Sequence, residues 1–208
     1  MSFAGYSLTA FAPAYLIRER GMTLGEVGVQ YGLASGVAGV VGLLIVGVLA
    51  DRLSARDPRW LLWLVAGMIA ALAPFSLAAF LVADRTSAVW FIAIGYVVGI
   101  AHMAPSVAAI QRLARPEQRA TASAIFLFCG SIIGSAGPFL TGVISDALQP
   151  ALGDATLGRA LLLVPVAQVG AALCYLLASR IFLAEIGRDR EAAETAVTTP
   201  SPAPLDST

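Results

Sequence analysis

The sequence predicts an all-α membrane protein: six transmembrane helices arranged as a 3+3 inverted repeat. Composition, the spacing of charges and an internal echo carry that expectation. Of 208 residues, 58% are hydrophobic and 12% charged, with mean hydropathy +0.82, whereas soluble domains carry roughly a quarter charged residues. Thirteen basic residues, all arginine, balance thirteen acidic ones, which leaves no surplus charge to hold a nucleic-acid backbone. With no lysine in the sequence, the P-loop and Schiff-base lysines are missing as well. Cys129 and Cys174 lie in separate apolar runs and read as small buried hydrophobes.

A bilayer core about 30 Å thick needs roughly 20 apolar residues in a helix. Six windows of that kind, at residues 1–17, 27–50, 60–82, 88–110, 120–145 and 160–179, contain no Asp, Glu or Arg. The first is short and lacks the charged start of a signal peptide. It reads as a clipped helix, and an N-terminal half is expected before it. The second opens on Thr23-Leu24-Gly25-Glu26, a capping-box pattern, and repeats Gly28, Gly32 and Gly36 at four-residue spacing, which suits close helix approach. The third has one polar side chain, Ser76, and is expected to face lipid. The fourth contains His102. Pro116-Glu117 suits the first turn of the fifth, where Gly130, Gly134 and Gly137 form a second stripe and Gly137-Pro138 is a candidate hinge. After the sixth, the chain turns to Ala, Glu, Thr and Pro. Residues 1–183 are thus expected to form the bundle and 184–208 a disordered cytoplasmic tail.

Arginines alternate from loop to loop. The second and fourth loops and the tail hold Arg52, Arg56, Arg59, Arg112, Arg115, Arg119, Arg180, Arg188 and Arg190, whereas the other loops hold Arg18, Arg20, Arg85 and Arg159. The positive-inside rule then puts both termini in the cytoplasm, with Trp60 and Trp63 in the interfacial belt on that side. The expected location is integral to a bacterial inner (plasma) membrane.

The internal echo is Gly47-Val48-Leu49-Ala50-Asp51-Arg52-Leu53 against Gly142-Val143-Ile144-Ser145-Asp146-Ala147-Leu148, 95 residues later. Ala12-Pro13 against Ala104-Pro105 is a weaker match at 92. Two copies of a three-helix unit enter the membrane from opposite sides, the inverted-repeat arrangement of secondary transporters. Hydroxyl, amide and imidazole groups concentrate in the first, second, fourth and fifth windows. Among these, Tyr6, Tyr31, Ser35, His102 and Ser106 are the candidate substrate or proton cavity. His102 is the titratable side chain near neutrality inside a window. Its protonation can be linked to cavity opening, its neutral ring can bond substrate, or it can simply be satisfied by a backbone carbonyl.

The second loop, from Gly47 through Asp51, Arg52 and Arg56 to Arg59, resembles the signature cytoplasmic loop of the major facilitator superfamily, G-x-x-x-D-R-x-G-R-R. Ser54 and Ala55 stand where that pattern has glycine and arginine, a looseness typical of the loop in the second half of such carriers. Pro105-Ser106, Gln111-Arg112-Leu113, Arg119-Ala120-Thr121, Gly137-Pro138 and Ser145-Asp146 resemble the spinster-like branch. The resemblance implies the C-terminal half of a twelve-helix fold and alternating-access transport of a small organic solute, proton-coupled, with Gly47, Asp51, Arg52 and Arg56 gating the cytoplasmic side. It implies no cofactor, and it makes the partners the bilayer, the solute, protons and a missing N-terminal half or a second copy. The alternative is a six-helix non-transporting subunit or homodimeric half-carrier. An intramembrane enzyme is disfavoured: there is no H-E-x-x-H, G-x-S-x-G or C-x-x-C pattern. No transport is expected of the chain on its own.

Overall fold

A computed structural model describes the backbone of residues 1–153 and 156–198, and the side chains of those residues except 152 and 183–198. The described residues are all helix, turn and loop. Six helices build the bundle: α1 (Ser2–Arg18), α2 (Leu24–Ser54), α3 (Trp60–Leu81), α4 (Arg85–Leu113), α5 (Arg119–Leu152) and α6 (Leu163–Thr198). The five from α2 onward are each long and apolar enough to cross a bilayer. α1, with 17 residues, sits at the short end of the spanning range.

Local chemistry sets the helix starts. Thr23 Oγ1 accepts from the Glu26 amide at 3.2 Å, and Glu26 Oε2 accepts from the Thr23 amide at 2.7 Å, completing the capping box. A π-turn follows immediately at Val27–Tyr31, which the sequence pattern does not reveal. Asp84 Oδ2 caps α4 by accepting from the Ser87 amide at 2.7 Å, and that bond holds the Asp84 carboxyl below its ordinary range. α4 breaks at His102. A 3₁₀ turn, Pro116–Gln118, leads into α5, and a short helical turn, Leu157–Ala160, precedes α6.

α6 departs from expectation. Its backbone helix runs to Thr198, through residues 184–198 that the sequence reads as disordered. The physical reason is local: Arg188-Asp189-Arg190-Glu191-Ala192-Ala193-Glu194 is rich in strong helix formers, although too poor in apolar residues to predict packing. Residues 199–208 of the expected tail lie outside those described.

The packing is a two-fold pattern. α1 lies along α5 and against α6, α2 along α4, and α3 against both α4 and α6. Exchanging α1 with α4, α2 with α5 and α3 with α6 reproduces those pairings. The exchange holds residue by residue where helices touch most closely. A Cβ on Gly39 would meet Ile100 of α4, and one on Gly134 would meet Tyr6 of α1. A Cβ on Gly42 would run into Val97, and one on Gly137 into the Phe3 carbonyl. Gly39 to Gly134 and Gly42 to Gly137 are steps of 95, and Phe3 to Val97 and Tyr6 to Ile100 are steps of 94. Gly5 and Gly99, also 94 apart in sequence, face each other, the Cβ of one falling 3.3–3.4 Å from the Cα of the other. That self-related contact marks the pseudo-two-fold axis. The Ala12-Pro13 and Ala104-Pro105 match, at 92, is out of step with this register; the break at His102 intervenes.

The glycine stripes divide their work. Gly130, Gly134 and Gly137 pack on Ser2, Tyr6, Phe3 and Ser7 of α1, whereas Gly28, Gly32 and Gly36 of α2 have nothing within 4 Å of where a Cβ would stand. In α2, Gly39 and Gly42 make the close approach instead. α3 is two-sided: Leu61, Leu62, Val65, Ala66, Ile69, Ala73, Ser76 and Ala79 are buried, while Trp60, Trp63, Phe75, Leu77 and Leu81 are exposed on its outer face, as a lipid-facing helix of a bundle requires. Cys129 and Cys174 are free and exposed, which corrects their expected burial.

Gly137→Ala forces a methyl against the Phe3 carbonyl and Ser7 Oγ, and backbone cannot swing aside. It is expected to destabilise the bundle by roughly 1–3 kcal/mol. Gly32→Ala should be neutral or slightly stabilising. Thermal melting of the two variants in detergent, followed by size-exclusion fluorescence, separates these outcomes; equal melting points would refute the packing assignment.

Candidate functional site

A pseudo-two-fold axis relating inverted units lies in the membrane plane, so the Gly5–Gly99 contact sits at mid-membrane. Beside it opens a cavity of about 490 Å³ lined by Gly5, Tyr6, Thr9, Ala10, Tyr96, Gly99, Ile100 and Pro138. The sequence explains the construction. Tyr6 and Thr9 are one turn apart on α1, and Tyr96 and Gly99 one turn apart on α4, so each pair shares a helix face. The facing glycines bring those faces together, and Pro138 of α5 closes the third side. Tyr6 is 43% exposed, with its ring packed on Gly134. Thr9 Oγ1 donates to the Gly5 carbonyl at 2.8 Å, which leaves an oxygen lone pair as its remaining capacity. The site can therefore stack and hydrogen-bond an uncharged, partly aromatic or aliphatic molecule; no formal charge lines it.

Of the five residues expected to line such a cavity, Tyr6 alone does. Ser35 Oγ donates to the Tyr31 carbonyl at 2.6 Å within its own helix, and Tyr31 packs with Tyr96 on the main apolar cluster. His102 is buried, its Nδ1 3.1 Å from the Val98 carbonyl. Ser106 Oγ donates to the His102 carbonyl at 2.7 Å and lies 2.8 Å from Tyr175 Oη. It lines a different cavity of about 500 Å³, off the axis, with Leu62, Phe126, Cys174, Tyr175 and Phe182. The two cavities are of nearly equal size and both mainly apolar; the axial one has the position beside the repeat axis that a midplane site requires. Thr9 and Tyr96 belong to the hydroxyl-bearing residues of the first and fourth windows but lie outside the expected five. The packing of α1 on α4 selects them, since it brings the Tyr96 and Gly99 face of α4 onto the α1 face that carries Gly5. Gly137 and Pro138 are placed at the α1–α5 crossing, where Gly137 is wedged against α1 and Pro138 borders the cavity.

At the arginine-rich end, the signature loop is open. Asp51, Arg52 and Arg56 are exposed, and a Cβ on Gly47 would meet nothing within 4 Å. Arg59 pairs with Asp57 at 3.6 Å, an exposed contact of small worth. The clasp between the two arginine-rich loops comes from Arg112 instead. Its Nη2 donates to Ser54 Oγ at 3.2 Å and its Nη1 to the Ser54 carbonyl at 3.4 Å, tying the end of α4 to the end of α2. Ser54, the position where the resembling loop has glycine, is thus the residue the structure uses. Trp63 Nε1 donates to Ser179 Oγ at 2.9 Å and joins α3 to α6 on the same side.

At the opposite end, Arg20 plays the structural part. It donates to Tyr15 Oη at 2.8 Å and to the Ala83 carbonyl at 3.2 Å, and its guanidinium lies over the Tyr15 ring at 5.2 Å, closing the last turn of α3. Glu19 Oε1 accepts from the Gly158 amide at 2.9 Å, joining the end of α1 to the turn before α6.

A six-helix bundle built as an inverted repeat, with an axial cavity and an aspartate–arginine loop, is half of a major facilitator fold. The chain belongs to the Major Facilitator Superfamily, whose model matches residues 1–138. It is 58% identical over 187 residues to a Mycolicibacterium smegmatis protein described as an MFS-type efflux pump, covering 89% of this chain and 44% of that one. Protein spinster homolog 3 of Danio rerio is 32% identical over 181 residues, covering 83% of this chain and 35% of the relative. Crystal structures of a bacterial homologue of the human lysosomal transporter Spinster, inward-facing and either unoccupied or occupied, superpose with TM-scores of 0.77 and 0.78 at 26% identity. They cover 88% of this chain and 46–47% of those chains. The chain thus spans less than half the length of the relatives it matches, and its kinship is spinster-like. Members of this family are membrane transporters rather than enzymes.

Arg112→Ala and Ser54→Ala are each expected to lower the melting temperature in detergent. The double variant should lose less than the sum of the two, because both remove the Nη2–Oγ bond, while the bond to the Ser54 carbonyl is lost only with Arg112. Additive losses would show that Arg112 and Ser54 act separately.

Proposed function

We propose that this chain is the C-terminal half of a twelve-helix carrier that moves a small organic solute by alternating access. The observation that supports this best is the axial cavity at the Gly5–Gly99 contact, at the depth where such carriers hold substrate between their halves. α2 and α5 are the least buried of the long helices, and they carry exposed rows such as Leu33, Val37, Val40 and Leu44 on α2 and Ile125, Phe128 and Ile132 on α5. Those are the faces for the N-terminal six-helix half to cover. The arginine-rich loops and both termini lie in the cytoplasm, in a bacterial inner membrane. Gly47, Asp51, Arg52 and Arg56 meet the other half on that side; among the described residues the side chains of Asp51, Arg52 and Arg56 are exposed and make no ion pair within 4.0 Å. Kinship to the mycobacterial efflux pump supports export as the direction.

The solute is apolar to moderately polar and makes no ion pair with this half, since Tyr6, Thr9 and Tyr96 supply ring faces and hydroxyls rather than charge. Coupling to protons is assigned to a carboxylate of the other half. His102 is buried against its own helix backbone and lines neither cavity.

In the full carrier, Tyr6→Ala and Tyr96→Ala are each expected to cut export of a panel of fluorescent lipophilic dyes by roughly tenfold, with Ser35→Ala unchanged. Dye retention equal to that of the unmodified carrier in both tyrosine variants would remove the axial cavity from the pathway. His102→Gln is expected to keep the pH profile of export. A flattened profile at normal expression would move the proton site into this half.

A further inference from the structure

The repeat register relates not only the packing glycines but also two carboxylates. Gly47 and Asp51 at the end of α2 become Gly142 and Asp146 at the end of α5, each a step of 95, the same step that carries Gly39 to Gly134 and Gly42 to Gly137. α2 and α5 run in opposite directions through the membrane, so the two aspartates stand at opposite faces. Both are exposed, and both end the helices whose surfaces are left for the other half. The arginines follow the same symmetry. Arg112, at the end of α4, reaches the end of α2 and bonds Ser54. Arg18, at the end of α1, faces the end of α5, where it shares with Ser145, Asp146, Gln149, Gly153 and Thr156 a polar cavity of about 460 Å³. Ser145 Oγ and Thr156 Oγ1, 3.0 Å apart, brace its wall. Among the described residues the ion pair within 4.0 Å is Arg59–Asp57, so Arg18 and Asp146 share a cavity without touching.

From this we infer that Arg18 and Asp146 form a latch on the external side, placed by the inverted symmetry opposite the Arg112–Ser54 clasp but made to a carboxylate in place of a serine: the guanidinium crosses the cavity to the Asp146 carboxylate when the external side closes. The inference rests on the alternating-access reading and deepens it by naming the gate at the face that the signature loop does not serve. Physically, the cavity supplies the room for the arginine to swing, and a bidentate arginine–carboxylate pair has the geometry to hold the closed position. The latch must also let go. An exposed pair in water is weak enough to open at each cycle, as a gate requires and a structural bridge does not.

The test is made in the full-length carrier in membranes, with Cys129 and Cys174 replaced by serine. Arg18→Cys combined with Asp146→Cys, oxidised with copper phenanthroline, is expected to form a disulfide detectable by peptide mass spectrometry. It should stop dye export, and reducing agent should restore it. No disulfide would overturn the inference, because the two side chains would then never meet. As a second variant set, Arg18→Asp and Asp146→Arg are each expected to lower export roughly three- to tenfold, and the charge-swapped double variant to recover most of it. A double variant as poor as the worse single one would count against pairing. The disulfide is read without transport: a carrier that exports none of the dyes and still cross-links would leave the latch standing and bring down the function proposed above.

Discussion

The bundle depends on one constraint: helices meeting at backbone distance through glycine. In a bilayer no hydrophobic force draws helices together, so close van der Waals contact must do it. Gly5 on Gly99, Gly42 on Val97 and Gly137 on Phe3 are the places where a side chain on the glycine would part the helices. Because these contacts are related by one symmetry, they fix the tilt and depth of four helices at once. The axial cavity is what remains beside the central crossing, where two helix backbones approach and their larger neighbours, Tyr6 and Tyr96, must splay.

Much of this was legible in the sequence. Charge-free windows give the six helices because the cost of a charge at mid-membrane is severe, and Arg52, Arg56, Arg112 and Arg115 mark one side by their clustering. The echo between Gly47–Asp51 and Gly142–Asp146 also revealed the repeat. What composition left hidden is which polar groups turn inward. A serine in a membrane helix satisfies itself on the carbonyl one turn back, as Ser35, Ser131 and Ser135 do, so its presence says little about a cavity. His102 is the same case with a ring. The echo at 95 announces the repeat but not the site: Gly5 and Gly99 are 94 apart, a step that the packing of α1 on α4 reveals.

Two expectations differ from the structure for a common reason. Disorder after residue 183 is read from hydropathy, and hydropathy reports burial rather than helicity; Arg, Glu and Ala keep α6 helical to Thr198. The cysteines, likewise, are apolar enough for a core and yet are exposed. In lipid, an apolar residue gains nothing by being inside.

The repeat is also imperfect, and that has an energetic meaning. α4 breaks at His102 where α1 runs unbroken, and α2 carries a π-turn at Val27–Tyr31 whereas α5 remains α-helical along its length. Two identical inverted units would make a conformation and its swapped counterpart degenerate, with neither face of the membrane preferred. The break and the π-turn lift that degeneracy. The backbone itself therefore distinguishes one face of the bundle from the other, with no side chain needed to tell them apart.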